Sequence, residues 1–444
     1  MSAVRIHPDS IVVHLDSTMS VAADVVDENG HVLTGPSVAW LLFDTTIARL
    51  NQNHSITGLE VGPTALVAAS ESVVARAPVA VVVGLTSIGM GSRGACAVSD
   101  GARAYCWGAD RGIGQGFPRL MPGLPTLRAV YSGLNHHCAL SLQGAAFCWG
   151  LSEVLPGNGG DTAAATPVAV TGDLTFGSLA LGWYHTCGLA NGTGAVYCWG
   201  ATAFGGTGTT QRVGAPRAIT LPGPALSLAV GGNQTCAVVQ GGAVYCWGSN
   251  RYGELGSAVN EHVCVDVCST TPTLVDSLPA LVSVHAGYEH TCGLTADGVA
   301  YCWGANYSGQ LGAPGGSGCA YSRTRDSTFI CSEVPHAVSG TLRFTTIAAG
   351  EEHTCGLTSG GALYCWGGNY AGEFGNGDRG SGSITPVSAG GSLQFQSISA
   401  ADIGTCGMAA GVGYCWGSDR FNTLGNGPPL NQNSATPMRI LYQP

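Results

Sequence analysis

One fifteen-residue segment, repeated along the chain, restricts the fold more than any other feature. Its fullest copy is His290-Thr-Cys-Gly-Leu-Thr-Ala-Asp-Gly-Val-Ala-Tyr-Cys-Trp-Gly304. Seven versions end in Cys-Trp-Gly, at Cys106, Cys148, Cys198, Cys246, Cys302, Cys365 and Cys415. An earlier cysteine precedes each: Cys96, Cys138, Cys187, Cys236, Cys292, Cys355 and Cys406. The offset is ten in five pairs, eleven from Cys187 to Cys198 and nine from Cys406 to Cys415. Cys292 and Cys302 can oppose each other across a hairpin whose loop is Ala296-Asp297-Gly298, a three-residue connection with Gly in the left-handed position. Opposed residues at a non-hydrogen-bonded position lie within disulfide range. Each repeat is therefore read as a hairpin with a disulfide rung. The next residue, Trp303, points to the opposite face, because side chains alternate along a strand. Reduced cysteines used as small core residues would not keep such even pairing.

First cysteines are separated by 42, 49, 49, 56, 63 and 51 residues. A period near 50 with about four short strands per unit indicates a β-propeller. One further strand per unit follows a Pro step, as in Thr166-Pro-Val-Ala-Val170, Ala215-Pro-Arg-Ala-Ile219 and Thr385-Pro-Val387; another leads into the hairpin, as in Leu281 to Gly287. Proline fits the start or edge of a strand. These repeats resemble the regulator-of-chromosome-condensation family, a seven-bladed propeller. The resemblance rests on the G-x-x-H-T-C-G-L segments from Gly182, Gly287 and Gly350, and on the Y-C-W-G-x-N-x-x-G-x-L-G segments Tyr245 to Gly256 and Tyr301 to Gly312. Family members often have Ser before the Trp; here it is always Cys, which implies an extracellular branch.

The chain ends suggest how the ring closes. Leu85 to Gly91 is a strand without a Pro-led strand before it, and Thr436 to Ile440 is a Pro-led strand without a hairpin after it. The expectation is that both belong to one blade, closing the ring without an open edge. The closure is expected to be non-covalent, since no cysteine precedes Cys96 or follows Cys415.

Residues 1–84 contain no cysteine. Alternating strands are predicted at Ile11 to Leu15, Ser20 to Val26, Ser37 to Leu42, Ala65 to Ala69 and Val79 to Val83, separated by turns such as Asp27-Glu-Asn-Gly30. Trp40 sits mid-strand, where an immunoglobulin-like sandwich buries a Trp. The stretches Ser37 to Leu50 and Ile56 to Ala69 resemble bacterial immunoglobulin-like domains of group 2, which implies a spacer or adhesive module. The predicted fold is all-β: an immunoglobulin-like β-sandwich over 1–84, then a seven-bladed propeller over 85–444 with one disulfide rung per blade.

Charged residues are only 10% of the chain, and the net charge of −10 opposes nucleic-acid or anionic-membrane binding. No apolar run approaches the ~18 residues that span a bilayer. Eighteen cysteines point to an oxidising compartment. The start, MSAVRIHPDS, is not a signal peptide; the two fit if the natural signal has been removed and Met1 starts a mature form, which is expected to be secreted or at a cell surface.

Candidate chemistry reduces mostly to structure. Seven of nine Trp belong to Cys-Trp-Gly, where inter-blade packing is expected. Plant ultraviolet-B photoreceptors of this fold carry clustered Trp in a Gly-Trp-Arg-His-Thr motif; only Gly182 to Thr186 is similar here, and Trp183 stands alone. His136, His185, His290 and His353 occupy one repeat position, where other units have Gly94, Gln234 and Gly404. That pattern fits a structural hydrogen bond better than a metal ring, whose ligands must all lie ~2 Å from one ion. Asn250, Asn306 and Asn369 read as turn-forming residues. No cofactor or metal is expected. The 27 acidic residues show no evident pairing, and no catalytic motif is present.

Two insertions, 257–271 with Cys264 and Cys268, and 313–333 with Cys319 and Cys331, lengthen consecutive units after the same Leu-Gly step. They are expected to carry two further disulfides and to project side by side as a binding platform. Its candidate partner-binding residues are Glu261, His262, Tyr321, Arg323, Arg325 and Phe329, of side-chain types that interfaces use. The reading is a non-enzymatic extracellular module binding a protein, a surface polymer or further copies of itself. The family resemblance implies protein binding too, since one secreted bacterial member inhibits β-lactamases by contact. The rival is an enzyme on extracellular polysaccharide, which needs two carboxylates within ~10 Å on one face.

Overall fold

A computed structural model describes residues 3–109, 116–150, 155–201, 203–257, 264, 267–314, 317–318, 330–380 and 382–443. The chain forms two compact units: 1–85 with 118–120 and 441–444, and 86–117 with 121–440.

The first unit holds β1 (Ala3–His7), β2 (Ile11–His14), β3 (Thr18–Ser20), β4 (Ala22–Val26), β5 (Ala39–Leu42), β6 (Ala48–Leu50), β7 (Ser55–Gly58), β8 (Gly62–Ser70) and β9 (Val73–Val82). Its sheets run β2-β9-β8-β5, β3-β7-β6 and β1-β4. Alternation buries Ile11, Val13, Leu66, Val79 and Val81 in one core with Ile56. All five predicted strands are present, some shortened or extended, and β1, β3, β6 and β7 are additional. Trp40 is half-buried rather than buried, its ring 5.7 Å from His54.

Seven further sheets follow, each built from consecutive strands over 85–120, 127–169, 176–219, 225–274, 281–337, 346–389 and 397–439. We call them blades 1 to 7 and their strands a to d. Blade 5 shows the pattern: a is Leu281–Ala286, b His290–Thr295, c Ala300–Ala305 and d Ile330–Ala337. The predicted register holds, with Cys292 opposite Cys302 and Thr291 opposite Trp303. The seven predicted rungs all form, with Cα atoms 4.1 Å apart, the spacing of a non-hydrogen-bonded pair. Turn chemistry explains the unequal offsets. Gly298 closes the three-residue loop at φ 83°, while the shortest pair uses the two-residue turn Ala410-Gly411 with φ 50° and 77°.

Each rung is also a packing surface. The disulfide of Cys236 and Cys246 in blade 4 shares a buried cluster with Leu281, Val284 and Trp303 of blade 5. The Cys292 and Cys302 pair packs in the same way with Phe344, Ile347 and Trp366 of blade 6. Hence the core is a series of slabs between blades, each a disulfide under the next blade's Trp. All seven of these Trp are at most 1% exposed.

The expected shared closing blade does not form. Strand d of blade 7, Ser434–Arg439, pairs with Val412–Gly417, so both terminal blades are built from consecutive strands. The reason lies in the sequence order a-b-c-d: the first repeat already has its own fourth strand, Arg119–Leu120, which directly follows Pro118 and escapes a reading of the sequence because it is only two residues long. Closure is non-covalent and uses side chains. Met90 N–H donates to Ser399 Oγ at 3.0 Å, and Trp107 Nε1 donates to the Thr423 carbonyl at 2.8 Å.

Candidate protein-docking face

Each a–b turn lies beside the end of strand c: in blade 5, Ala305 N–H donates to the Glu289 carbonyl at 2.8 Å. The a–b turns and c–d loops therefore share one end of the propeller. That end is built on repeated polar fastenings. The carbonyl of Glu254 accepts Trp303 Nε1 at 2.9 Å and Thr291 Oγ1 at 3.2 Å from blade 5. Gln310 and Glu373 carbonyls receive Trp366 with Thr354, and Trp416 with Thr405.

Histidines join the same fastenings. Nε2 of His136, His185, His290 and His353 lies 2.7–3.0 Å from the Thr Oγ1 of the following blade: Thr186, Thr235, Thr354 and Thr405. In three of these pairs the Thr hydroxyl donates to a carbonyl, so it accepts from Nε2–H. Burial pushes His136 and His290 down to about 3, and His185 and His353 to about 4. The hydrogen-bond role expected of these residues is what they perform. The expected turn role of Asn250, Asn306 and Asn369 holds too: their Oδ1 atoms accept from Leu255, Leu311 and Phe374 N–H at 3.0–3.1 Å.

On this rigid base the two residues between the turn Gly and the His position vary freely. They supply Trp183, Tyr184, Asn233, Tyr288, Glu289, Glu351 and Glu352. Trp183 and Tyr288 stack with centroids 3.9 Å apart, bridging blades 3 and 5. Tyr252 and Tyr307 from neighbouring c–d loops meet at 6.4 Å. The Tyr307 hydroxyl donates to Glu289 Oε2 at 3.2 Å, and Ser308 Oγ donates to Glu352 Oε2 at 2.6 Å. Tyr370 stands 59% exposed beside Ser308.

Two cavities open here. One of about 90 Å³ lies where the a–b turns of blades 2 to 7 converge, lined by Trp183, Tyr288, Glu351 and Asp402 among others. The other, about 290 Å³, is walled by Trp183, Tyr184, Phe204, Tyr252 and Tyr288, with Glu254, Glu289, Asn233 and Arg251 among its polar groups. Burial, and then the charge of Glu254, pushes Glu289 up to about 8. Burial also pushes Glu351 up to about 8, reinforced by a hydrogen bond with the Asp402 carboxyl.

The sequence reading found no evident carboxylate pairing, and the fold corrects this. Glu254 with Glu289, and Glu351 with Asp402, come from successive repeats about 35 to 50 residues apart, which a linear reading does not bring together. The Glu351–Asp402 pair meets the proximity condition set for a polysaccharide enzyme. However, hydrogen-bonded carboxyls are closer than the ~5 Å that brackets a glycosidic bond. Their contact instead adds to burial in raising Glu351. The clue was available in the alignment of repeats: positions after the turn Gly are the ones that change to Trp, Tyr and Glu.

Of the insertions, the stems are described. Ser249 pairs with Cys268 and Ala305 with Cys331, so both insertions leave from this same end, on consecutive blades. The Cys264–Cys268 disulfide forms. Cys319 and the platform residues Glu261, His262, Tyr321, Arg323, Arg325 and Phe329 lie outside the described residues. No described cysteine is free.

Comparison with known proteins fits this architecture. The Regulator of chromosome condensation (RCC1) repeat matches residues 241–294 and 297–357, and a second profile of that repeat matches 226–254, 281–310 and 344–373. The ultraviolet-B receptor UVR8 of Arabidopsis thaliana is 30% identical over 294 residues, covering 64% of this chain and 62% of that protein. The E3 ubiquitin-protein ligase HERC2 of Homo sapiens is 29% identical over 201 residues, 43% of this chain but 4% of that protein. Among solved structures, Prp20p of Saccharomyces cerevisiae superposes with a TM-score of 0.65 at 21% identity, covering 81% of this chain and 87% of that one. Human WBSCR16 superposes at 0.60 and 17% identity, covering 73% and 84%. Within 226–373 the chain thus carries repeats that match the RCC1 profiles, and its propeller fold is shared with Prp20p and WBSCR16.

Proposed function

We propose that this chain is a non-enzymatic protein-binding module whose partner docks on the a–b and c–d end of the propeller. The observation that carries this is the contrast within each repeat: Trp, Thr and His fix the frame, while the outermost turn positions gather Trp183, Tyr288, Tyr370, Glu289 and Glu352 on one end. Aromatic side chains at a polar, carboxylate-rimmed surface are what interfaces use. The insertions leave from the same end, so Glu261, His262, Tyr321, Arg323, Arg325 and Phe329 extend this reading as its candidate rim. The precedent for binding comes from the fold's other members: the yeast protein Prp20p is described with binding properties to Gsp1p and histones.

The same reading places the protein in an oxidising setting, secreted or at a cell surface, because the described cysteines are all paired. It assigns the first unit, with its three sheets around one core, as a bacterial immunoglobulin-like spacer or adhesive domain. The partner is a protein or surface polymer, which includes a further copy of this chain.

The test is affinity capture with the full chain and two variants. Tyr288→Ala changes the proposed face, and Leu142→Ala changes the exposed b–c turn at the other end. A protein captured by the parent and by Leu142→Ala, but lost with Tyr288→Ala, is the expected result. Equal capture by Tyr288→Ala would remove the face from the account.

A further inference from the structure

The cavity of about 290 Å³ between blades 3, 4 and 5 has a chemistry more specific than a general interface. Its walls are π faces: Trp183 and Tyr288 stacked at 3.9 Å, with Tyr252 and Tyr184 beside them. One of its buried acceptors lacks a donor. Asn233, which lines the cavity, has a side-chain oxygen exposing less than 1 Å² that accepts no hydrogen bond among the described residues. Such a buried acceptor costs free energy until a donor reaches it. Glu289 accepts from the Tyr307 hydroxyl, while Glu254 is engaged by Ser249 Oγ at 2.9 Å and Tyr252 N–H at 2.7 Å. The cavity's own cation, Arg251, sits 5.4 Å from the centroid of the Tyr252 ring and is outnumbered by Glu254 and Glu289. Glu351 and Glu352 of blade 6 stand near enough to Glu289 to interact with its charge.

Aromatic faces and carboxylates both attract a cation, and a missing donor calls for N–H groups. The volume lies just below the ~300–1,000 Å³ of sites for drug-sized ligands, which leaves room for one long side chain. We propose that this cavity receives an arginine side chain presented by the protein that docks on this face, its guanidinium lying against the aromatic wall and donating to Asn233 Oδ1 and Glu289. The proposal rests on the docking face described above and names what that face selects. Arginine is preferred over lysine because its planar group stacks on rings and offers five donors in a fixed fork. Burial and the charge of Glu254 press Glu289 toward its neutral form, so an arriving guanidinium also relieves the repulsion between these two carboxylates.

The experiment uses the full chain and three synthetic probes, hexa-arginine, hexa-lysine and the neutral isostere hexa-citrulline, by calorimetry at low salt. Hexa-arginine is expected to bind most tightly, and hexa-citrulline on the order of tenfold more weakly, the scale of a desolvated cation over an aromatic ring. Glu289→Gln and Trp183→Leu should each weaken hexa-arginine by a similar factor. Glu28→Gln, which removes the same charge from an exposed site in the first unit, should leave it unchanged. If Glu289→Gln fails to fold, Trp183→Leu carries the test. Equal binding of hexa-citrulline, or equal loss with Glu28→Gln, would overturn the proposal, reducing the effect to stickiness or net charge. A tighter hexa-lysine complex would overturn the arginine preference. Should a partner be captured through Tyr288 while hexa-arginine fails to bind, the docking face stands and the arginine pocket falls.

Discussion

His290 Nε2 lies 2.8 Å from Thr354 Oγ1, and through that Thr hydroxyl reaches the Gln310 carbonyl at 2.9 Å. A histidine of one blade is thus tied to its own c–d loop by a residue of the next blade. The tie is buried at both ends, so neither group can turn to water instead. Thr354→Val should cost about 1–3 kcal/mol by stranding the imidazole N–H, while the Gln310 carbonyl keeps Trp366 Nε1. A double-mutant cycle with His290→Ala, read by urea unfolding, should give a coupling energy of about 0.5–3 kcal/mol. Strict additivity would show that the two side chains merely adjoin.

Ring closure uses the same device as the other junctions. Trp107 donates to the Thr423 carbonyl as Trp303 does to that of Glu254. Trp107→Ala and Trp303→Ala should therefore destabilise alike, each by about 3–5 kcal/mol. Thermal unfolding that found Trp107→Ala harmless would mean the ring does not depend on this seam.

The buried histidines set an acid limit. Their folded values, about 3 to 4, lie below the ordinary 6.5. The unfolded chain then binds more protons between those values, so stability is full above pH 6.5 and falls as pH drops toward 3. Glu254, Glu289 and Glu351 act oppositely: raised to about 7 or 8 from 4.5, they make stability fall as pH rises from 4.5 to 8. The melting temperature should peak between these two slopes, near pH 6. Replacing His353 by Gln should flatten the acid slope, and Glu351→Gln the other. A profile that rises steadily from pH 6 to 9 would contradict the carboxylate part.

The rungs should resist reductant in the native state. All fourteen blade cysteines are at most 1% exposed, and exchange needs a thiolate to reach a sulfur. Thiol titration after dithiothreitol should find the seven rungs intact until denaturant is added. Removing one, as in Cys292→Ala with Cys302→Ala, should cost about 2–4 kcal/mol, with part of the loss from the packing under Trp366. Rapid reduction without denaturant would mean that the blades open readily.

Much of this was legible because each repeat carries its own local instructions. The Cys292 to Cys302 offset and Gly298 set register and turn together, and Asn306 marks its loop. Even the inter-blade ties can be read: blade 7 has Gly404 in place of His, and blade 1, which follows it around the ring, has Ala95 in place of Thr. Two features were hidden because they depend on assembly. The pairing of Glu351 with Asp402 joins turns of adjacent blades, and the closure through Trp107 and Thr423 joins residues at opposite ends of the propeller. In both cases the partner is chosen by the ring geometry rather than by spacing along the chain. Trp40 shows the opposite difficulty: a mid-strand Trp gives the face but not the depth, and here it stays half-buried.

The most direct test of the docking face is site-specific photo-crosslinking. Benzoylphenylalanine would replace Tyr370, 59% exposed on the a–b and c–d end, or Leu142, 54% exposed at the opposite end. Incubated with extract of the source organism, the Tyr370 probe should yield a discrete crosslinked partner that Tyr288→Ala abolishes, while the Leu142 probe yields none. A partner trapped from Leu142 and not from Tyr370 would place binding on the opposite end and contradict the account.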